Sequence, residues 1–293
     1  MHVTNRMGLP EAIVAAVKND PYPHGRTGDI SVTRLIAPPR LAALERAHWH
    51  EIEEDASDRV WSLLGQSVHT ILERAEPLAE TEKRLFAQRL GWTISGQVDR
   101  LAFSTEHAGA VVIEDYKVTS AWAVLNGLKD EWRDQLHALQ WLAERNGYQV
   151  SGLRIVAILR DWSKHQTQRS ADYPRAPVVP FHVDPMRAAE LDAWIGDRVQ
   201  AHQAARERLA SGDDLPDCTD AERWARPTTY AVMKQGRKSA VKRYQLRAVA
   251  EAHASTDKAL SVEVRPGEAV RCAHYCPVAR WCRQWQTEQQ ATD

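Results

Sequence analysis

The chain has 293 residues with 38 Lys and Arg against 39 Asp and Glu, a formal net charge of −1, so any surface for a polyanion has to be local. No apolar run approaches the roughly 20 residues of a membrane-spanning helix, and Met1 to Pro10 lacks the basic-then-apolar pattern of a secretory leader. These features predict a cytoplasmic protein without a membrane partner, long enough for one sizeable core and an extension.

In chain order, Glu11 to Lys18 is a short amphipathic stretch followed by a Pro- and Gly-rich connector, and residues 1–29 read as an N-terminal arm without chemistry. From Ile30, Ser31 or Thr33 caps a short helix before Pro38-Pro39, and helical periodicity resumes over Arg40 to Ala47. His48 and His50 have no partner at metal-ligand spacing and read as surface or packing residues. Over Ser57 to Ala75, Trp61, Leu64, Val68, Ile71 and Leu72 recur at helical spacing and predict a buried face. Gly65, His69 and Glu73, four apart, form a neighbouring stripe in which the glycine predicts close approach of another backbone.

Lys83 to Leu90 reads as a strand, with Gly91-Trp92 turning into a second strand that carries Gly96-Gln97-Val98-Asp99. Thr105 to Gly109 turns again into the apolar run Ala110 to Ile113, which continues into Glu114-Asp115-Tyr116-Lys117. The prediction is an antiparallel meander. Strand alternation puts Asp115 and Lys117 on one face and Glu114 and Tyr116 on the other. Asp99 and Asp115 on neighbouring strands make a hard oxygen site suited to Mg²⁺ or Mn²⁺, and Lys117 beside them can stabilise a charged transition state or help place an attacking water.

A helix over Asp130 to Asn146 and a buried strand over Ser151 to Leu159 complete a strand–helix–strand unit, the signature of an α/β fold with a mixed sheet flanked by helices. The basic, Pro-containing loop from Arg160 to Pro177 either lies along a nucleic acid or is simply solvated. Val178 to Val183 is an edge strand because of Pro180, and Asp184-Pro185 caps a long helix to about Ala210.

A composition shift at Asp213 divides a core, residues 30–212, from a tail, residues 213–293. All four cysteines, Cys218, Cys272, Cys276 and Cys282, lie in the tail, and such clustering favours metal binding over disulfides. Four thiolates suit a 4Fe–4S cluster or a tetrahedral Zn²⁺, with His274 able to replace a cysteine in the zinc case. Lys234, Arg237, Lys238, Lys242 and Arg243 belong to a basic run without an acidic residue that can supply phosphate contacts. Most of the 11 tryptophans are expected in packing, with an exposed few free to stack on bases.

The order G-x3-H-x3-E, G-x-x-D, D-x-K resembles the RecB-like branch of the PD-(D/E)xK nuclease superfamily, which includes iron–sulfur CRISPR-associated exonucleases. The resemblance implies a restriction-endonuclease-like core, with His69, Asp99, Asp115 and the Tyr116 carbonyl around the metal and Lys117 as the catalytic lysine. Gln135 fits the glutamine of the family's Q-x3-Y motif and would orient that lysine or contact DNA, although Leu139 stands where the tyrosine belongs. In the iron–sulfur relatives the fourth cysteine precedes the core and the first gap is usually two residues; here only Cys218 can complete the set and the spacing is C-x3-C-x5-C. The tail also resembles those of phage and prophage proteins of the superfamily. The implied activity is a deoxyribonuclease, an exonuclease in phage or bacterial recombination, repair or end processing. Its substrate would be DNA with a free end, with room for a recombination or single-strand-binding partner protein. An endonuclease of the same fold and a non-catalytic iron–sulfur DNA-binding or regulatory protein are the alternatives.

Overall fold

The computed structural model describes residues 1–19, 28–75 and 79–292; most of the connector predicted before Asp29 lies outside them. Strand β1 (His2–Thr4) leads to helix α1 (Glu11–Lys18), then β2 (Ile30–Ser31), α2 (Val32–Ile36), α3 (Pro39–Ala47) and β3 (Glu53–Asp55). Ser31 accepts a hydrogen bond from the Arg34 N–H and so caps α2, and Pro39 opens α3, where its missing N–H costs nothing. Helix α4 (Ala56–Glu73) precedes a meander of β4 (Glu80–Arg89), β5 (Trp92–Phe103) and β6 (Ala110–Thr119). Helix α5 (Asp130–Arg145) crosses over to β7 (Gln149–Leu159), α6 (Lys164–Arg169) interrupts the loop that follows, and β8 (Val178–Val183) precedes the long α7 (Ala188–Ser211).

The sheet runs β2-β5-β6-β7-β8, with β4 also paired to β5. β4, β5 and β6 are antiparallel neighbours, β6 and β7 are parallel, and β8 closes the edge antiparallel to β7. The mixed α/β architecture is therefore the expected one. Helix α5 buries Leu136, Leu139 and Leu142 against it, and α7 adds Leu191, Ile195 and Val199 at four-residue spacing. Gly96 makes this packing possible. A Cβ there would come within 3.0 Å of side-chain carbons of Leu142, Leu139 and Val32.

Several expectations change. The β4–β5 turn is Leu90-Gly91, both at positive φ (49° and 76°), so Trp92 is already in the strand. Helix α7 starts at Ala188 after a non-capping Arg187, and Gly212 in the left-handed region ends it. Helix α4 does not bury the face its periodicity suggests: Trp61, Leu64 and Ile71 are exposed, and Val68 and Leu72 are only half-buried. A Cβ added at Gly65 would meet nothing within 4 Å, so this glycine serves no close backbone approach.

The tail forms β9 (Ala225–Arg226), β10 (Thr229–Lys234), β11 (Lys242–Tyr244), α8 (Arg247–Ala254), β12 (Leu260–Arg265), β13 (Glu268–Ala269), α9 (Val270–His274) and α10 (Arg283–Thr292). Its three-stranded sheet, β11-β10-β12, is separate from the main one. Val278 and Cys282 share a hydrophobic cluster with Ala43, Leu44 and Ile52 near the start of the chain and with Ala205 of α7. No helix among the described residues is long and apolar enough to cross a membrane.

Candidate active site

On its second edge β5 pairs with β2 at Ile94 and Ser95 and with β6 from Arg100 to Phe103. Asp99 sits where the β5–β6 ladder stops. Its Oδ2 accepts the Tyr116 N–H at 2.7 Å, taking over a donor of β6 at the point where the strands part. The following residues alternate as predicted. Asp115, 1 % exposed, and Lys117 meet on one face at 2.7 Å. Glu114 is buried between Arg100 and Arg154 and has a structural role.

Gln135 of α5 closes a triangle with this pair. Its amide donates to Asp115 Oδ1 at 2.8 Å, and its oxygen accepts from Lys117 Nζ at 3.0 Å. Lys117 Nζ pairs with Asp115 Oδ2 at 2.7 Å, so both oxygens of this buried carboxylate are engaged by the chain itself. A carboxylate oxygen carries more than one lone pair, so Oδ2 paired with Lys117 can still face a cation. Leu139, at the tyrosine position of the Q-x3-Y pattern, is fully buried in the core and does not take part.

His69 enters from α4. Its Nδ1 lies 3.1 Å from Glu82 Oε1 and 3.7 Å from Asp99 Oδ1, and its Nε2 lies 3.3 Å from the Tyr116 carbonyl. Ligand atoms of His69, Glu82 and Asp99 all fall within 4.8 Å of one another. An imidazole nitrogen and two carboxylates are a hard donor set that fits Mg²⁺ or Mn²⁺, and Asp115, expected as a ligand, is not one of these three. The hydrogen bond to Glu82, with the charges of Asp99 and Glu82, raises the His69 pKa against the opposing effect of burial. Burial and then the charge of Asp115 push the Asp99 carboxyl up to about 7. Burial also acts on Glu82, but its hydrogen bonds from His69 and Gln97 prevail and hold it below the usual range. A buried carboxyl raised by burial and by a neighbouring carboxylate, as Asp99 is, gains from a cation placed beside it.

A family profile of the PD-(D/E)XK nuclease superfamily matches residues 31–283. The chain belongs to that superfamily. Among solved structures, this nuclease-family chain is similar to the crystal structure of SSO0001, at 19% identity and TM-score 0.46, with 65% of this chain and 84% of that one covered. It is also similar to LHK-Exo in complex with dAMP, at 14% identity and TM-score 0.39, with 62% and 92% covered. No curated protein matches.

Glu82 is the member of this candidate site that periodicity does not reveal. It lies just ahead of the stretch read as a strand, at φ 50°, in the place opposite Asp99. The signal is the hairpin register: with Leu90-Gly91 as the turn and Arg89 opposite Trp92, counting back pairs 82 with 99.

The four cysteines line one small apolar pocket together with Arg40, Arg223 and Val278. Burial raises the pKa of Cys218 to about 12 and also raises those of Cys272 and Cys276, so without a metal these are neutral thiols. Arg40, 2 % exposed, has a guanidinium nitrogen 3.8 Å from Cys282 Sγ, and Arg223 reaches Cys272. The thiols share this pocket with two guanidiniums, but the metal-ligand group whose atoms lie within 4.8 Å of one another among the described residues is His69, Glu82 and Asp99, not a set of cysteines. His274 is exposed and bonded to Glu268 instead.

Lys234, Arg237, Lys238, Lys242 and Arg243 are all exposed on the β10–β11 hairpin of the tail. Lys234 lies 3.7 Å from Asp257, Arg237 bonds Ser239, and Lys242 stands over the Tyr244 ring.

Proposed function

We propose that the chain is a divalent-metal-dependent deoxyribonuclease acting as an exonuclease on DNA with a free end. The observation that carries this reading is the Asp115–Lys117–Gln135 triangle beside the His69–Glu82–Asp99 group, with Asp99 bonded to the Tyr116 N–H between Asp115 and Lys117. Bound Mg²⁺ or Mn²⁺ would supply Lewis acidity toward the scissile phosphate and its attacking water. His69, Asp99 and Asp115, with Glu82 and the Tyr116 carbonyl nearby, would hold it.

The remaining chemistry belongs to the chain itself. Lys117 Nζ, fixed by Gln135 and Asp115, offers a positive charge to the developing phosphorane oxygens or orients water. Gln135 locks the rotamer of that lysine, and its own position is set by α5 packing on Gly96. Exonuclease action in phage or bacterial recombination, repair or end processing follows the RecB-like order of motifs. The basic hairpin would contact phosphates, and the cysteine centre would hold the tail to the core as a 4Fe–4S cluster, with zinc as the alternative.

The test is cleavage of end-labelled linear and covalently closed DNA in Mn²⁺ or Mg²⁺. Loss of linear DNA alone supports the exonuclease, cutting of circles moves the reading to an endonuclease, and no cleavage by metal-loaded protein overturns it. Iron analysis and an absorption spectrum after anaerobic purification separate iron–sulfur from zinc.

A further inference from the structure

The apolar face of α4 stays uncovered beside the site. Trp61 is 57% exposed and Ile71 66% exposed, on the helix that supplies His69. Eight residues separate Trp61 from His69, about 12 Å along the helix axis. One side of the Trp61 ring is occupied by the Arg160 guanidinium, 4.5 Å from the ring centroid.

Arg160 is itself tied to the catalytic strand. Its N–H donates to the carbonyl of Thr119, the last residue of β6 and two beyond Lys117, at 2.9 Å. From there the chain enters a short 3₁₀ turn, Ala121–Val124, pinned by the Ala121 N–H donating to Asp161 Oδ1 at 2.6 Å. Trp122 in that turn is 72% exposed. The two elements that carry His69 and Lys117 thus each lead to an exposed indole, and Arg160 links them, its guanidinium over Trp61 and its N–H on Thr119.

We propose that Trp61, Arg160 and Trp122 form a stacking platform for unpaired nucleotides of a DNA strand next to the scissile phosphate. This rests on the nuclease reading of the site and specifies its substrate. An exposed indole needs a flat apolar partner. A duplex keeps its base faces inside the stack and presents sugar and phosphate to a side chain at its flank, whereas an unpaired strand offers the faces themselves. The Arg160 cation over the Trp61 ring matches the strand's phosphates, which an apolar protein partner would leave unmatched.

The test measures binding apart from cleavage. In EDTA, the full-length protein is titrated with a labelled oligothymidylate and with a blunt duplex of equal length, following tryptophan quenching and anisotropy. Trp61→Ala and Trp122→Ala are each expected to weaken binding of the single strand about 10-fold and to leave duplex binding within about twofold, with loss of part of the quenching. Trp61→Phe retains most of the affinity, and Arg160→Ala lowers both affinity and its salt dependence. Unchanged strand binding in both Trp→Ala variants overturns the platform, as does equal loss for strand and duplex. Loss of self-association in Trp61→Ala with normal strand binding also overturns it and assigns the face to a second copy of the chain. Cleavage in Mn²⁺, run in parallel, keeps the two readings apart. Platform failure with intact cleavage leaves the nuclease reading standing; Trp61-dependent strand binding without cleavage does the reverse.

Discussion

Glu82 stands across the β4–β5 ladder from Asp99, and theirs is the pair at which the ladder is interrupted. Thr81 pairs with Arg100 and Lys83 with Val98, while Glu82 between them adopts φ 50° and directs its carboxylate to His69. A non-glycine residue in this region costs about 1–3 kcal/mol and persists only where its surroundings enforce it. Here Gln97 enforces it, bonded to Glu82 on one side and accepting from Arg84 at 2.7 Å on the other.

Glu82→Gln keeps this shape and removes the charge that holds His69. Mn²⁺ affinity by calorimetry is expected to fall about 10- to 100-fold, and the His69 pKa in the metal-free protein, followed by NMR, moves down. An unaltered affinity and an unaltered His69 titration together would remove Glu82 from the site.

Asp99→Ala, Asp115→Ala and Lys117→Ala each lose a group aimed at the same point. DNA cleavage is expected to drop at least about 100-fold in each, with near-ultraviolet circular dichroism unchanged. Gln135→Ala frees the lysine without removing it, so its loss is smaller, about 10-fold, and falls on kcat more than on KM.

The Asp99 carboxyl has a folded-state pKa of about 7, above its usual value of 3.8. The folded state therefore binds the proton more tightly than the unfolded chain. Its contribution to stability is complete below about pH 4 and is lost as pH rises through about 7. Denaturant unfolding of metal-free protein between pH 4 and 8 should show this decline, Asp99→Asn should abolish it, and saturating Mg²⁺ should offset it at the alkaline end.

His202 behaves in the opposite sense. It is 3% exposed with its Nε2 3.0 Å from the Leu35 carbonyl, and burial, with Arg198 and Arg206 nearby, lowers its pKa from 6.5 to about 4. Its contribution is present above the unfolded value and is lost as pH falls through about 4, up to about 3 kcal/mol in all. His202→Gln is expected to flatten the acid limb of the stability curve, read as a smaller fall in Tm between pH 6.5 and 4 than in the unsubstituted chain.

Gly96→Ala tests how far the site depends on its support. The added methyl meets Leu139, Leu142 and Val32 in a dense core, a destabilisation of about 1–3 kcal/mol. Because α5 carries Gln135, part of the cleavage activity is expected to go with it. Full activity at unchanged Tm would show that α5 can shift without disturbing Lys117.

The sequence makes Asp99, Asp115 and Lys117 legible because strand alternation is a local rule, and Gln135 legible through its motif. Glu82 depends on a register counted from Leu90-Gly91, so a turn placed one residue late conceals it. In α4 the spacing of Trp61, Leu64 and Ile71 announces an apolar stripe correctly, but periodicity states only which side is apolar and not what lies over it. Arg40 is harder still. Nothing in its own neighbourhood indicates that its partners are Asp214, Leu215, Pro216 and Asp217, more than 170 residues away.

That last contact also orders the assembly of the molecule. Arg40 is buried only because the chain from Asp214 to Cys282 arrives to surround it, 174 to 242 residues later. During synthesis, the face of α3 that bears it must wait, hydrated, until Cys282 has left the ribosome. A chain stopped before Cys282 keeps every residue of the candidate site yet leaves this corner of α3 open to water.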